Sequence, residues 1–264
     1  MTSEAELQKA HERRVDTLLA GHCERRRRGV KHPVEDFLFT YYSYRPAQLR
    51  RWRPDATPEQ AAETVGRRGD MIRWIRDLLA ATATRTPHLG CFGLHEWAMV
   101  YRQPAGRRHQ AWPLRLGPDE IAGTIEERGV RCSHFDAFRF FTPPARPLNL
   151  LRPTRETQHA HEQPGCLHAN MDLYKWSYKL APLVGSATVV DCFELARDIR
   201  TLDMRASPYD LSDLGYEPVR IETPEGRAAY AVAQKGFAER AAPLRARLLA
   251  IADYALLAAV TVPA

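Results

Sequence analysis

The residue types best suited to chemistry in this chain are histidines that stand beside carboxylates. The densest set lies in the segment HAHEQPGCLHANMDLYKW, where a Pro-Gly break precedes a predicted helix from about 166 to 180. On that helix His168, Asp172 and Lys175 fall at i, i+4 and i+7 and share one face. A histidine beside an aspartate can act as a general acid or base, so this face is a candidate for catalysis. The alternative is an ordinary amphipathic helix whose charges pair with its surroundings.

A second histidine–carboxylate pair is predicted on a β-strand. If the segment 130–141 is extended, His134 and Asp136 project from the same side, because side chains alternate along a strand. Such a pair can supply two ligands of a site in which two histidines and one carboxylate hold non-haem iron. The third ligand would be a later histidine, namely His159, His161 or His168. The alternative is a hydrogen-bonded pair that tunes an acid–base histidine or is simply buried.

A third pair, His95-Glu96, lies in the apolar segment CFGLHEWAMVYR. Adjacent residues on a helix point about 100° apart, so the two side chains cannot both face one site squarely. The pair therefore indicates either one buried, hydrogen-bonded histidine or one metal ligand. If the protein binds iron or another divalent metal, the ligands would come from His95, Glu96, His134, Asp136, His168 and Asp172.

Positive charge is concentrated in arginine clusters, and the chain has a net charge of +6. The planar guanidinium group suits phosphate, because it offers two parallel hydrogen bonds. The cluster of Arg50, Arg51 and Arg53 around Trp52 is accordingly a predicted nucleic-acid-binding site. The alternative interpretation places these arginines on solvated helix faces.

Composition narrows the class of protein. Hydrophobic residues make up 44% and charged residues 27% of the chain, as is typical of soluble globular proteins. The five cysteines are scattered and form no CxxC pair, which argues against a disulfide framework or a zinc ribbon and favours a reduced cytoplasm. No signal peptide or membrane-spanning segment is expected. The absence of GxGxxG, GxxxxGK[ST], HExxH and GxSxG motifs argues against the commonest nucleotide, metalloprotease and hydrolase sites.

Helix signals dominate the elements that must position these residues. Ser3 and Glu6 form a capping-box pattern at the start of a helix over residues 3–29, which is expected at the periphery. Asp70 is predicted to cap an amphipathic helix. Its buried stripe would consist of Met71, Trp74, Ile75, Leu78 and Leu79.

Further helices are predicted over residues 166–179, 186–205 and 224–260, the last with Thr223 as its N-cap. The expected fold class is mostly α, with a small β element around 130–141. The length of the chain is compatible with one large domain covering residues 1–264.

Several segments together resemble an actinobacterial family whose members are described as 3-methyladenine DNA glycosylases. The resemblance extends from about Lys31 to Arg245. The segments are KHPVEDFLFTYYSYRPAQLRRW (31–52), CFGLHEWAMVYR (91–102), RCSHFDAFRFFTPPARPLN (131–149), EQPGCLHANMDLYKWSYKL (162–180) and FELARDIRTLDMRASPYDL (193–211).

The resemblance implies an enzyme that hydrolyses the N-glycosidic bond of an alkylated purine in DNA. Such an enzyme flips the base out of the stack and supports its departure with a carboxylate. Asp172 or Asp136 would be that carboxylate, and His168 or His134 its acid–base partner, with no cofactor. Two other functions stay open: a non-haem iron oxygenase-like enzyme acting on a small molecule, and an arginine-rich nucleic-acid-binding protein without catalysis.

Overall fold

The structure is a computed structural model that describes residues 3–103 and 111–261, and most of these residues are helical. In chain order the helices are α1 (Glu4–Arg27), α2 (Phe37–Thr40), α3 (Pro46–Arg50), α4 (Pro58–Ala83), α5 (Leu94–Ala98), α6 (Pro118–Arg128), α7 (Phe135–Phe138), α8 (Gln158–His161), α9 (Leu167–Lys179), α10 (Ser186–Arg205) and α11 (Pro224–Thr261). The mostly-α class is confirmed. None of the described helices is long and apolar enough to cross a membrane.

Two of the long helices, α1 and α11, begin where the local capping signals predict. The Ser3 side chain accepts a hydrogen bond from the Glu6 backbone, and Glu6 reaches back to Ser3, which completes the capping box of α1. At α11 the Thr223 hydroxyl accepts a hydrogen bond from the Gly226 backbone at 3.0 Å. These helix starts were readable from the sequence because each cap lies within three residues of the group that it satisfies.

The helix that Asp70 was predicted to cap begins twelve residues earlier, at Pro58, so this prediction is wrong. Helix α4 continues through Asp70 after a kink at Arg68, whose φ and ψ of −139° and 22° are not helical. The Asp70 carboxylate pairs instead with Arg73 at 2.8 Å. The predicted apolar stripe beyond the kink is present, and Ile75 is fully buried within it.

The segment 130–141 does not form the predicted β element. Val130 makes a single isolated bridge to Asn149, and the Asn149 side chain then hydrogen-bonds both the amide and the carbonyl of Cys132. With its backbone satisfied in this way, the segment needs no partner strand. It turns into α7 at Phe135, so His134 and Asp136 do not share the face of a strand.

The chain divides into two compact units, each built from separate stretches of sequence. Unit 1 consists of the residues up to 80, residues 171–197 and the residues from 242 onwards; unit 2 consists of residues 81–170 and 198–241. The single domain expected from the chain length stays a prediction.

Unit 1 has an aromatic core. Tyr174 of α9 contacts Tyr42 and Phe193 edge-on, with ring centroids 5.5 and 5.3 Å apart. Helix α1 packs against α3 and buries Val15 and Leu19, while Arg14 pairs with Asp191 and Glu194 of α10. The N-terminal helix is therefore part of the packing of unit 1.

In unit 2 the core surrounds Trp97 of α5. This ring is fully buried, and its Nε1 donates a hydrogen bond to the Ala206 carbonyl at 2.8 Å. Ile121 and Ile125 of α6 are also buried. The packing of Trp97 fixes α5, the helix that carries His95 and Glu96.

We predict that Ile75→Ala destabilises the protein by about 2–5 kcal/mol, because truncation of a fully buried side chain leaves a cavity. Urea denaturation followed by circular dichroism measures this difference. Arg67→Ala on the same helix is the control, since its side chain is 64% exposed and should change stability by no more than about 0.5 kcal/mol. Equal effects of the two substitutions would contradict the burial of the Ile75 stripe.

Candidate functional site

Three histidines from separate segments meet inside unit 2. His95 lies on α5, His134 immediately before α7, and His168 in the first turn of α9. The ring centroid of His168 is 4.5 Å from that of His95 and 5.4 Å from that of His134. All three side chains are buried. The structure thus brings together one histidine from each of the three predicted histidine–carboxylate pairs.

The loop before α9 positions His168 through a close backbone approach. A Cβ atom on Gly165 would lie 2.7 Å from the His88 carbonyl oxygen, so only glycine fits here without a shift. The Gln163 amide accepts hydrogen bonds from the backbone of His88 and Gly165, and Gln234 donates to the Gly165 carbonyl at 2.7 Å. The Pro-Gly break seen in the sequence is therefore a fixed junction.

The carboxylate at this histidine cluster is Asp203 of α10, which the sequence analysis did not single out. Its Oδ1 lies 2.6 Å from His95 Nε2, and the side chain is fully buried. Burial alone would raise the pKa of Asp203, but the positive charge of His95 outweighs burial and lowers it well below its ordinary value. Burial likewise lowers the pKa of His95, yet Asp203 and Cys91 raise it well above its ordinary value.

Arg200 ties this aspartate to a second buried carboxylate. Its Nη1 donates to Glu96 Oε1 at 2.8 Å and to Asp203 Oδ2 at 2.9 Å. The pKa of Glu96 is raised, mainly by burial, against the opposing charge of Arg200. Glu96 thus faces the guanidinium group, whereas its sequence neighbour His95 faces Asp203, as the 100° separation along a helix requires.

Ligand atoms of His95, His168 and Asp203 all lie within 4.8 Å of one another. A modest adjustment of side chains would allow two imidazoles and one carboxylate to bind one metal ion. His134 stands beside this group, with its Nε2 3.3 Å from Glu162 Oε1. Of the predicted metal ligands, the structure therefore brings His95 and His168 together with an aspartate that was not predicted.

The other predicted carboxylates have different surroundings. Asp136 forms ion pairs with Arg155 at 2.7 Å and Arg139 at 3.2 Å. In unit 1, Asp172 accepts a hydrogen bond from the Tyr42 hydroxyl at 2.8 Å and pairs with Lys175 at 2.9 Å. These contacts give both aspartates a stabilising role that requires no ligand.

The predicted nucleic-acid-binding cluster is partly engaged in internal contacts. Arg50 forms ion pairs with Asp16 and Glu12, and Arg53 donates to the Tyr44 hydroxyl at 3.0 Å. Arg51 is exposed and Trp52 half-buried. The contacts of Arg50 and Arg53 are those expected of arginines on the surface of a helical core, and binding of nucleic acid stays a prediction.

A small cavity adjoins the histidine cluster within unit 2. Its volume is about 10 Å³, and the residues around it are Cys91, His95, Arg131, Cys132, Ser133, Gln163, Cys166, Leu167, His168, Tyr230 and Gln234. Cys91 Sγ lies 3.4 Å from His95 Nδ1. Burial raises the pKa of the Cys166 thiol to about 12 and that of Cys132 well above its ordinary value.

The cysteines around the cavity are scattered in the sequence, and neither Arg200 nor Asp203 was predicted as a site residue. The signals that were available are short spacings: Cys91 precedes His95 by four residues, and Arg200 precedes Asp203 by three. Residues three or four apart are neighbours within a helical turn. Spacing alone does not indicate that the pair Cys91 and His95 lies beside the pair Arg200 and Asp203.

Comparisons with known proteins leave the function open. No protein family, no curated protein and no solved structure matches the chain. The resemblance to the actinobacterial family described as 3-methyladenine DNA glycosylases therefore stays a prediction.

We predict that Arg200→Ala destabilises the protein by about 3–5 kcal/mol, because Glu96 and Asp203 would lose the guanidinium group that compensates their buried charge. Arg240→Ala is the matched control: its half-exposed side chain pairs with Asp198, also on α10, and such pairs contribute about 1 kcal/mol or less. The measurement is the urea midpoint of each variant. Similar midpoints for the two variants would show that Arg200 carries no special electrostatic role.

Proposed function

We propose that the protein is a metal-dependent enzyme whose ion is held by His95, His168 and Asp203. The observation that carries this proposal is the proximity of their ligand atoms, all within 4.8 Å, at a site assembled from three separate helices. Two imidazoles and one carboxylate are a donor set that divalent transition metals bind.

The donor set favours iron(II) among the common metals. Magnesium and calcium prefer ligands that are all oxygen, whereas two histidines and one carboxylate are typical of non-haem iron sites with open positions for a substrate or dioxygen. Zinc accepts the same donors. We therefore infer oxidation of a small molecule as the reaction class, with metal-assisted hydrolysis as the outcome if zinc is the bound ion.

The charges around the site support a cation. Glu96 and Asp203 are two carboxylates, and Arg200 supplies one guanidinium charge between them. When both carboxylates are ionised, one negative charge remains in a region closed to solvent. A proton on His95 can compensate this charge, and a divalent metal ion in place of that proton compensates it more fully.

Arg200 also has a positioning role in this proposal. It holds Asp203 Oδ2 at 2.9 Å, which leaves Oδ1 directed towards His95. Partners of this kind fix the orientation of a ligating carboxylate and typically change metal affinity by about 10–100-fold.

The test uses iron(II) and nitric oxide as probes. Anaerobic protein loaded with iron(II) is expected to bind about one equivalent and, on addition of nitric oxide, to give the electron paramagnetic resonance signal of a high-spin iron nitrosyl. His168→Ala and Asp203→Asn should each weaken iron binding by more than about 100-fold, since loss of a ligand should exceed the loss of a partner that only orients one.

His161→Ala is the matched control, because this half-buried histidine bonds the Thr157 carbonyl and was an alternative ligand in the sequence analysis. It should bind iron(II) as the unaltered protein does. A folded protein that takes up no iron(II), zinc or manganese contradicts the proposal. Equal iron binding by His168→Ala and the unaltered protein contradicts it as well.

A second candidate function is the N-glycosylase activity implied by the resemblance. The observation that favours it is the hydrogen bond that Asp172 accepts from Tyr42, whose ring contacts Tyr174 edge-on, with Lys175 at 2.9 Å from the carboxylate. A carboxylate among aromatic side chains is what hydrolysis of a flipped base requires. Here the aspartate would stabilise the positive charge that develops on the sugar.

The glycosylase proposal predicts release of 3-methyladenine from alkylated DNA by metal-free protein. Asp172→Asn should lower the rate at least about 100-fold while DNA binding is kept, because the substitution removes the charge and preserves the shape. Asp136→Asn is the control: it should keep the rate of the unaltered protein if Asp172 is the catalytic carboxylate. DNA affinity should fall as the salt concentration rises, because contacts with phosphates release counterions. An affinity that does not depend on the salt concentration contradicts this candidate function.

A further inference from the structure

We propose that the small cavity in unit 2 is a binding site for one water molecule, which the side chains of Tyr230 and Gln234 hold. His95 and His168 border the same cavity of about 10 Å³. Tyr230 and Gln234 are four residues apart on α11, so their side chains lie on one face of that helix. The water site needs no metal ion and does not depend on the proposed enzyme.

Two buried oxygen atoms at the cavity indicate a polar ligand. Within the described residues, Tyr230 Oη and Gln234 Oε1 have no hydrogen-bond partner, although both side chains are almost fully buried. Buried polar atoms in folded proteins nearly always have a partner, either in the protein or in an ordered water molecule. Both atoms belong to residues that border this one cavity, so a single ligand can satisfy both.

The size of the cavity selects water as that ligand. Its volume is about 10 Å³, and roughly 10–15 Å³ of space for sphere centres holds one water molecule. An organic substrate is too large for this space. A buried water molecule makes about three hydrogen bonds, and the hydroxyl of Ser133 and the rings of His95 and His168 also border the cavity.

The directions of the two hydrogen bonds follow from the surroundings of each side chain. Gln234 Nε2 donates to the Gly165 carbonyl at 2.7 Å, so the amide oxygen of Gln234 is the atom that remains to accept. Burial raises the pKa of Tyr230 well above its ordinary value, so the hydroxyl keeps its proton and can donate. A water molecule matches both, because it accepts from the tyrosine and donates to the amide.

The water molecule retains one hydrogen and one lone pair for the other groups around the cavity, which include His95 and His168. Its role beside the metal ion rests on the proposed function, in which these two histidines are ligands. There Tyr230 and Gln234 act as positioning residues, because they fix an exchangeable hydrogen beside two of the ligands. Hydrogen bonds through such a water molecule are nearly as strong as direct ones.

Tyr230→Phe removes one hydroxyl and should lower the melting temperature by about 2–4 °C, because the water molecule loses a hydrogen bond. Tyr174→Phe is the matched control. Its hydroxyl is equally buried and has no hydrogen-bond partner within the described part of the chain, but it lies in unit 1 and does not border this cavity. This control should keep or raise the melting temperature. Equal melting temperatures of the two variants contradict the water site.

A crystal structure of the unaltered, metal-free protein locates the water molecule directly. One ordered water molecule within about 2.7–3.2 Å of both Tyr230 Oη and Gln234 Oε1 supports the site. A cavity that shows no ordered water, or a water molecule that contacts neither atom, overturns it.

The role beside the metal ion is tested on the iron nitrosyl after exchange into deuterium oxide. Electron spin echo spectra should show deuterium modulation that is shallower in Tyr230→Phe, because the coupling of a deuteron to the electron spin falls steeply with distance. Equal modulation in the two proteins contradicts the role of the water molecule beside the ion. Loss of the nitrosyl signal itself in the unaltered protein contradicts the proposed enzyme, and the metal-free crystal structure then decides the water site alone.

Discussion

The interaction on which the site depends is the ion-pair network around Arg200. A guanidinium group with almost no solvent exposure can remain charged only if carboxylates surround it, and Glu96 and Asp203 meet that requirement. One residue of α5 and two of α10 are fixed relative to each other by this network. Because removal of Arg200 would leave two buried carboxylates without a compensating charge, the arrangement resists small displacements.

This network fixes the orientation of the His95 ring, and the orientation of the ring determines which group each of its nitrogens faces. With Asp203 held by Arg200, Nε2 of the histidine is directed to the carboxylate and Nδ1 to Cys91. The ring thus separates a group of nitrogen and oxygen donors from a cavity bordered by thiols.

The sequence singled out three histidines that the structure brings together, but not the carboxylate that lies beside them. His95, His134 and His168 were chosen because of an acid one, two or four residues away. In the structure Glu96 binds Arg200, Asp136 binds Arg155 and Asp172 binds Tyr42 and Lys175. Side chains close in sequence compete with every other element that packs nearby, and a guanidinium or ammonium group is a strong partner for a carboxylate.

What the sequence determined by itself is local: the capping box of α1, the Thr223 cap of α11, the apolar stripe after Arg68 and the mostly-α class. Each depends on hydrogen bonds or side-chain periods that span a few residues. The predicted strand failed because its backbone is satisfied by the distant Asn149. Only the tertiary structure decided that Asp203 reaches His95 across 108 residues and that three scattered cysteines share a cavity, because partners of buried charges are set by helix packing and not by spacing.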